Sequence, residues 1–167
     1  MGSLTRKLEA EVASWPHVSV VPHQFMAKEF RYRKAEIGHV HFWGDVDIPF
    51  PPAVHDVLLA EGRAQRHRWL PHSGWVTFHM HNDADEEHAI WLLRLSHLRY
   101  ELKSAADAER VLAEQTERLR LGPALAALMA QFVPRLLRGI KVGADAAQDL
   151  HSPASPGSRP GEDAKRP

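Results

Sequence analysis

A chain of 167 residues is long enough for one hydrophobic core and too short for two ordinary domains. Lys and Arg together number 21, as do Asp and Glu, so no net field draws the chain to a polyanion or an acidic membrane, and neither a nucleic-acid nor a membrane partner is expected. Cysteine is absent, which excludes disulfides, thiolate nucleophiles and thiolate metal sites.

Met1 to Ser14 carries Arg6, Lys7, Glu9 and Glu11 where a signal peptide would need an apolar run, so a soluble cytoplasmic protein is expected. Leu4, Leu8 and Val12 fall at helical spacing after Ser3, an N-cap residue, and predict a first helix ending before Trp15-Pro16. From Val18 to Trp43, β-branched and aromatic residues alternate with polar ones and predict strands near 18–21, 25–33 and 36–43, paired as an antiparallel meander. Asp47-Ile-Pro-Phe-Pro-Pro breaks that pattern. Pro51-Pro52 then opens a helix with Val54, Val57, Leu58 and Ala60, stopped at Gly62. Two strands near 64–70 and 75–81, joined by Pro71-His-Ser-Gly74, read as a hairpin.

Asp83 and Glu86 have capping-box spacing and precede a helix running to about Lys103. One apolar stripe is Ala89, Leu92, Leu93, Ser96 and Tyr100; a second is Trp91, Leu95, Leu98 and Leu102, which the sheet alone cannot cover. Helices over 105–121 and 124–138 supply a cover, and a homodimer partner is the competing explanation. Residues 141–167 are small, polar, charged or proline and predict a disordered tail. The expected architecture is α+β: residues 1–103 form an antiparallel sheet of about five strands with helices on one face, and 104–140 form a C-terminal helical extension.

Twelve histidines are unusual for this length, and nine lie between His39 and His97. Side chains alternate along a strand, so Ile37, His39, His41 and Trp43 share one face, while Gly38, Val40 and Phe42 take the other. The same sorting separates Trp75, Thr77, His79 and His81 from Val76, Phe78 and Met80. In the strand between them, the set Gln65, His67 and Trp69 is favoured over the set Ala64, Arg66, Arg68 and Leu70. If these faces coincide, imidazoles able to move protons near neutral pH sit beside indoles able to stack on a flat ligand. His39, His41 and His67 are the candidate catalytic residues, with Asp47 to hold an imidazole tautomer. Trp43, Trp75, His79 and Arg94 are the candidate ligand-binding residues, Arg94 because a guanidinium among leucines needs a buried partner or a ligand anion.

His39 and His41 share a strand face, and His67 or Asp47 would complete a metal set. Tight binding needs at least three placed ligands, and only these two histidines are related locally, so no stoichiometric zinc, iron or copper is expected. No serine elbow, phosphate loop or dinucleotide fingerprint is present, and no cofactor is expected.

The segments Glu36-Ile-Gly-His-Val-His41, Asp47 with Phe50, Gly62-Arg-Ala with His67, Pro71-His-Ser-Gly-Trp-Val76 and Leu92-Leu-Arg-Leu-Ser96 together resemble the luciferase-domain family. The resemblance spans roughly Trp15 to Tyr100 and includes the fungal luciferase and many small bacterial proteins. It implies a site for a small hydroxylated aromatic or pyrone-like compound and an oxidoreductase- or oxygenase-like activity without an organic cofactor. The fungal enzyme carries a hydrophobic N-terminal segment that Met1 to Ser14 does not resemble, so light emission is not expected. The reading from another class is a noncatalytic interaction or dimerisation module built on the doubly apolar helix.

Overall fold

The computed structural model describes residues 4–135 of the chain. Ser3 as a cap, the stretch from Leu136 to Arg138 and the tail over 141–167 fall outside the described residues. Helix α1 (Leu4–Ala13) is followed by strands β1 (Val18–Pro22), β2 (Lys28–Tyr32), β3 (Ala35–Val40) and β4 (Asp45–Pro49). After helix α2 (Pro52–Ala60) come β5 (Gln65–Arg66), β6 (Trp75–His79), and helices α3 (Asp83–Ser104), α4 (Ala108–Arg118) and α5 (Pro123–Ala130). The six strands form one antiparallel sheet in the order β1-β2-β3-β4-β6-β5. The fold is α+β.

The sheet has one strand more than the sequence reading allowed. Asp45–Pro49 lies in the middle of the sheet, pairing along its length with β6 and at two positions with β3. Its alternation is short and ends in proline, so it reads as a break; Val46 and Ile48 are nevertheless fully buried. The strands expected at 25–33 and 64–70 are shorter than the sequence suggests. Residues Gln24–Met26 form a 3-10 turn in which Phe25 and Met26 have positive φ, and only Gln65–Arg66 pairs in β5. The capping box of α3 sits one residue earlier than Asp83 and Glu86. Asn82 accepts from the Ala84 and Asp85 amides, and the Asp85 carboxylate accepts from the Asn82 amide in return. Helix α5 stops at Ala130, short of the span expected from periodicity; Pro134 has no amide hydrogen with which to continue the ladder.

The core lies between one face of the sheet and the helices. Phe30, Val40, Val46, Ile48, Val76 and Met80 from the sheet join Ala89, Leu92 and Leu93 from α3, with Val54 and Leu58 from α2. The second stripe of α3 is also covered within the chain. Leu95, Leu98 and Leu102 are fully buried, α1 and α4 pack along the helix, and the Trp91 indole donates to the Leu119 carbonyl. Leu125, Met129 and Val133 extend the same core into the C-terminal helices. No helix among the described residues is long and apolar enough to cross a membrane.

Candidate ligand site on the open face of the sheet

The register aligns one row of polar residues across five strands. Glu29 opposes His39, His39 opposes Asp47, Asp47 opposes Thr77, and Thr77 opposes Gln65. Residues directly opposite share a face, so the row stands on the side away from α3. A bulge sets its phase. Between β2 and β3 the pairs are Phe30 with Gly38 and Arg31 with Glu36, which leaves Ile37 as the extra residue. Ile37 therefore enters the core beside Gly38, and Glu36 joins His39 on the open face. Simple alternation placed Ile37 with His39, and the bulge corrects that.

Gly38 makes the bulge feasible. Its φ is +147°, and a Cβ there would come within 2.7 Å of a Leu93 methyl and 3.0 Å of the Asp47 carbonyl oxygen.

Asp47 is the centre of the site. One of its oxygens, Oδ2, lies 3.3 Å from His39 Nε2, 3.1 Å from His41 Nε2 and 3.5 Å from His67 Nε2. The other, Oδ1, accepts from the Thr77 hydroxyl. The fold thus brings together the four residues proposed for chemistry. His41 follows the end of β3 and is fixed by its amide donating to the Asp45 carbonyl. His67 follows β5 and its amide donates to the Trp75 carbonyl.

Each imidazole is held differently. His39 Nδ1 is 2.7 Å from Glu36 Oε1, and a carboxylate only accepts, so Nδ1 carries a proton. His67 Nδ1 accepts the backbone amides of Trp69 and Leu70, both at 3.1 Å, so its proton sits on Nε2, facing Asp47. His41 Nδ1 is buried without a hydrogen-bond partner. Burial works against charge on His39, but the hydrogen bonds to Asp47 and Glu36 outweigh it and push its pKa up to about 9. Burial likewise raises the Asp47 carboxyl, yet the His39 and Thr77 hydrogen bonds bring it down to about 2. For His41, burial prevails over Asp47 and the pKa is lowered. Adjacent imidazoles are thus driven in opposite directions.

Around this floor is a cavity of about 1150 Å³, slightly above the usual size of small-molecule clefts. Arg66 and Arg68 line it together with large exposed apolar side chains: Phe25, Met26, Phe42, Trp43, Trp69 and Leu70, with Phe25 and Trp69 exposed by more than three quarters. Trp43 lies in the β3–β4 turn rather than on a strand, with its ring stacked 4.3 Å from that of His41. Phe42, expected on the core face with Val40, is in the same turn and reaches the cavity. Trp75 packs against His39 and His67, at 5.5 and 6.1 Å between ring centroids. His79 bonds Asp45 at 2.6 Å on the cavity wall.

Arg94 is elsewhere. Its guanidinium lies 3.6 Å over the Trp15 ring on the helical side of the sheet, which answers its need for a partner without a ligand. The sequence reading missed His23, whose ring stacks on His39 at 4.4 Å, and Glu29, which bonds both His23 and Arg31. The Arg31 guanidinium holds the Glu29 carboxyl below its usual range. The sequence reading also missed Glu36, Phe25 and Met26, whereas Trp69 stood in the favoured set with His67 and lines the cavity. Glu36 could have been found from its position three residues before His39, but only with the bulge known.

An antiparallel sheet backed by helices, with a titratable row inside an aromatic rim, defines a small α+β protein with a pocket on the open sheet face. Residues 34–96 match the family described as Luciferase domain, and this segment belongs to that family. The match is narrower than the span from Trp15 to Tyr100. It contains His39, His41, Asp47, His67, Trp75 and Thr77, while His23, Phe25 and Met26 lie before it. No curated protein and no solved structure matches the chain.

Proposed function

We propose that the pocket binds a small hydroxylated aromatic or pyrone-like compound and that oxidation of the bound compound is its activity. The observation that carries this reading is the convergence of His39, His41 and His67 on the Asp47 carboxylate beneath an exposed aromatic rim. Exposed indole and phenyl faces suit a planar ligand, each stacking contact contributing about 0.5–1.5 kcal/mol. A ligand hydroxyl that reaches the floor meets imidazoles held within 3.5 Å of the Asp47 carboxylate, a cluster of groups able to take up and relay its proton. His67 and Thr77 fix the Asp47 carboxylate between them. A deprotonated hydroxyl makes an aromatic or pyrone ring electron-rich, and the two electrons and two protons that the ring gives up pass to dioxygen, which leaves as hydrogen peroxide.

Metal-stripped protein titrated with a panel of hydroxypyrones and catechols, followed by tryptophan fluorescence and oxygen uptake, tests the reading. Saturable binding is expected, weakened about 2- to 10-fold by Trp69→Ala or Trp43→Ala. Oxygen uptake is expected to fall in His41→Gln with binding retained. Panel members that bind no better than unhydroxylated analogues would refute it.

A further inference from the structure

The floor of the pocket also has the donor set of a metal centre. His39, His41 and Asp47 each offer one ligand atom, and these atoms lie within 4.8 Å of one another. The Asp47 oxygen is 3.3 Å from His39 Nε2 and 3.1 Å from His41 Nε2. Ligands about 2.1 Å from one ion are separated by about 3.0 Å in octahedral and about 3.4 Å in tetrahedral geometry. Both Asp47–histidine separations fall in that interval. Asp47, one of the two residues the sequence offered to complete the set, is placed opposite His39 by the register of β3 with β4.

The surroundings assign roles to the neighbours. His39 donates its Nδ1 proton to Glu36, the carboxylate–histidine arrangement that leaves Nε2 free to coordinate and strengthens it as a donor. Because His67 Nδ1 already accepts two backbone amides, its Nε2 carries the proton and has no lone pair for an ion. It can only donate toward Asp47. Thr77 holds the other Asp47 oxygen and so orients the carboxylate from the opposite side.

We propose that His39, His41 and Asp47 form a two-histidine, one-carboxylate site for a divalent first-row transition ion, with Glu36, His67 and Thr77 as positioning residues. Three protein ligands leave coordination positions open, and the cavity adjoins them. The competing occupant of the same space is a proton on His39, bonded to Asp47.

Protein purified without an affinity tag and stripped with a chelator is titrated with Co(II), with no organic ligand added. The expected result is a visible Co(II) absorption that saturates at one equivalent and is displaced by Zn(II). His39→Ala, His41→Ala and Asp47→Asn are expected to abolish the saturable signal. Glu36→Gln and His67→Gln are expected to keep one equivalent with affinity lowered about 10- to 100-fold. X-ray absorption of the Co(II)-loaded wild type, which needs no variant to fold, is expected to show imidazole scattering in an N/O shell. Absence of saturable uptake by the wild type, uptake that survives in folded His39→Ala and Asp47→Asn, or a shell without imidazole would each overturn the proposal. Because this titration contains no aromatic compound and the ligand panel contains no metal, failure of either reading leaves the other standing.

Discussion

Three imidazole nitrogens within 3.5 Å of one Asp47 oxygen make the metal-free site sensitive to pH in a direction the individual groups fix. The His39 pKa is raised to about 9, so its contribution to stability is full below the ordinary value of 6.5 and lost as pH rises through about 9. The Asp47 pKa is lowered to about 2, so its contribution is full above 3.8 and lost as pH falls through about 2. Both describe largely the same ion pair and are not additive. Thermal melts of metal-stripped wild type and His39→Gln should therefore differ most between these limits and converge as pH rises from 6.5 to 9; a constant difference over that interval would contradict the pairing. At this scale the sequence was informative where strand alternation holds. His39, His41 and His67 were identifiable as candidates because each stands in or just beyond a short alternating segment, whereas Asp47, in a segment that reads as a break, was named for a carboxylate able to hold an imidazole or complete a metal set. His23 was not, since it precedes a turn and is brought to His39 by a stacking contact that no spacing encodes. Arg94 looked like a ligand group because its cation–π partner, Trp15, is remote in sequence.

Among the elements, β3 and the start of α3 carry the most specific local chemistry. The bulge at Ile37 turns an alternating segment into one that feeds the core at two successive positions and then returns His39 to the open face. Gly38→Ala would place a methyl against Leu93, Asp47 and Ile48 at an unfavourable φ. A loss of about 1–3 kcal/mol is expected in urea denaturation, together with weaker ligand binding because His39 and Asp47 flank the strain. Full stability in that variant would mean the bulge is not as described. At α3, Asn82→Ala should cost about 1 kcal/mol, whereas Glu86→Ala should change stability little, since the reciprocal bonds run between Asn82 and Asp85. The reverse ranking would restore the box to Asp83 and Glu86. These features were hard to read in advance: a bulge leaves the residue types unchanged, and three acids in the first turn offer several capping registers. Strand β4 was missed for a related reason, since two aspartates and a terminal proline conceal two fully buried apolar residues.

Taken as a whole molecule, the helices and the pocket occupy opposite faces of the sheet. The α+β class and the helix-covered face were legible from apolar periodicity, and the doubly apolar character of α3 pointed to a further covering element. The chain supplies that cover itself through α1 and α4. Leu95 is fully buried there, so Leu95→Asp should unfold the protein rather than dissociate folded subunits; circular dichroism beside light scattering distinguishes the two. Leu98→Ala should cost about 2–5 kcal/mol.

The division between faces also gives the binding claim an internal control, because the five tryptophans are split across it. Trp43 and Trp69 line the cavity and Trp75 packs on its histidines, whereas Trp15 bonds Glu11 and Trp91 bonds Leu119 on the helical side. The most direct measurement follows the indole N–H resonances of 15N-labelled, metal-stripped protein while a hydroxypyrone is added. The signals of Trp43, Trp69 and Trp75 should shift along one saturating curve while those of Trp15 and Trp91 stay in place. Unmoved signals at Trp43 and Trp69, or shifts confined to Trp15 and Trp91, would contradict a ligand site on the open face.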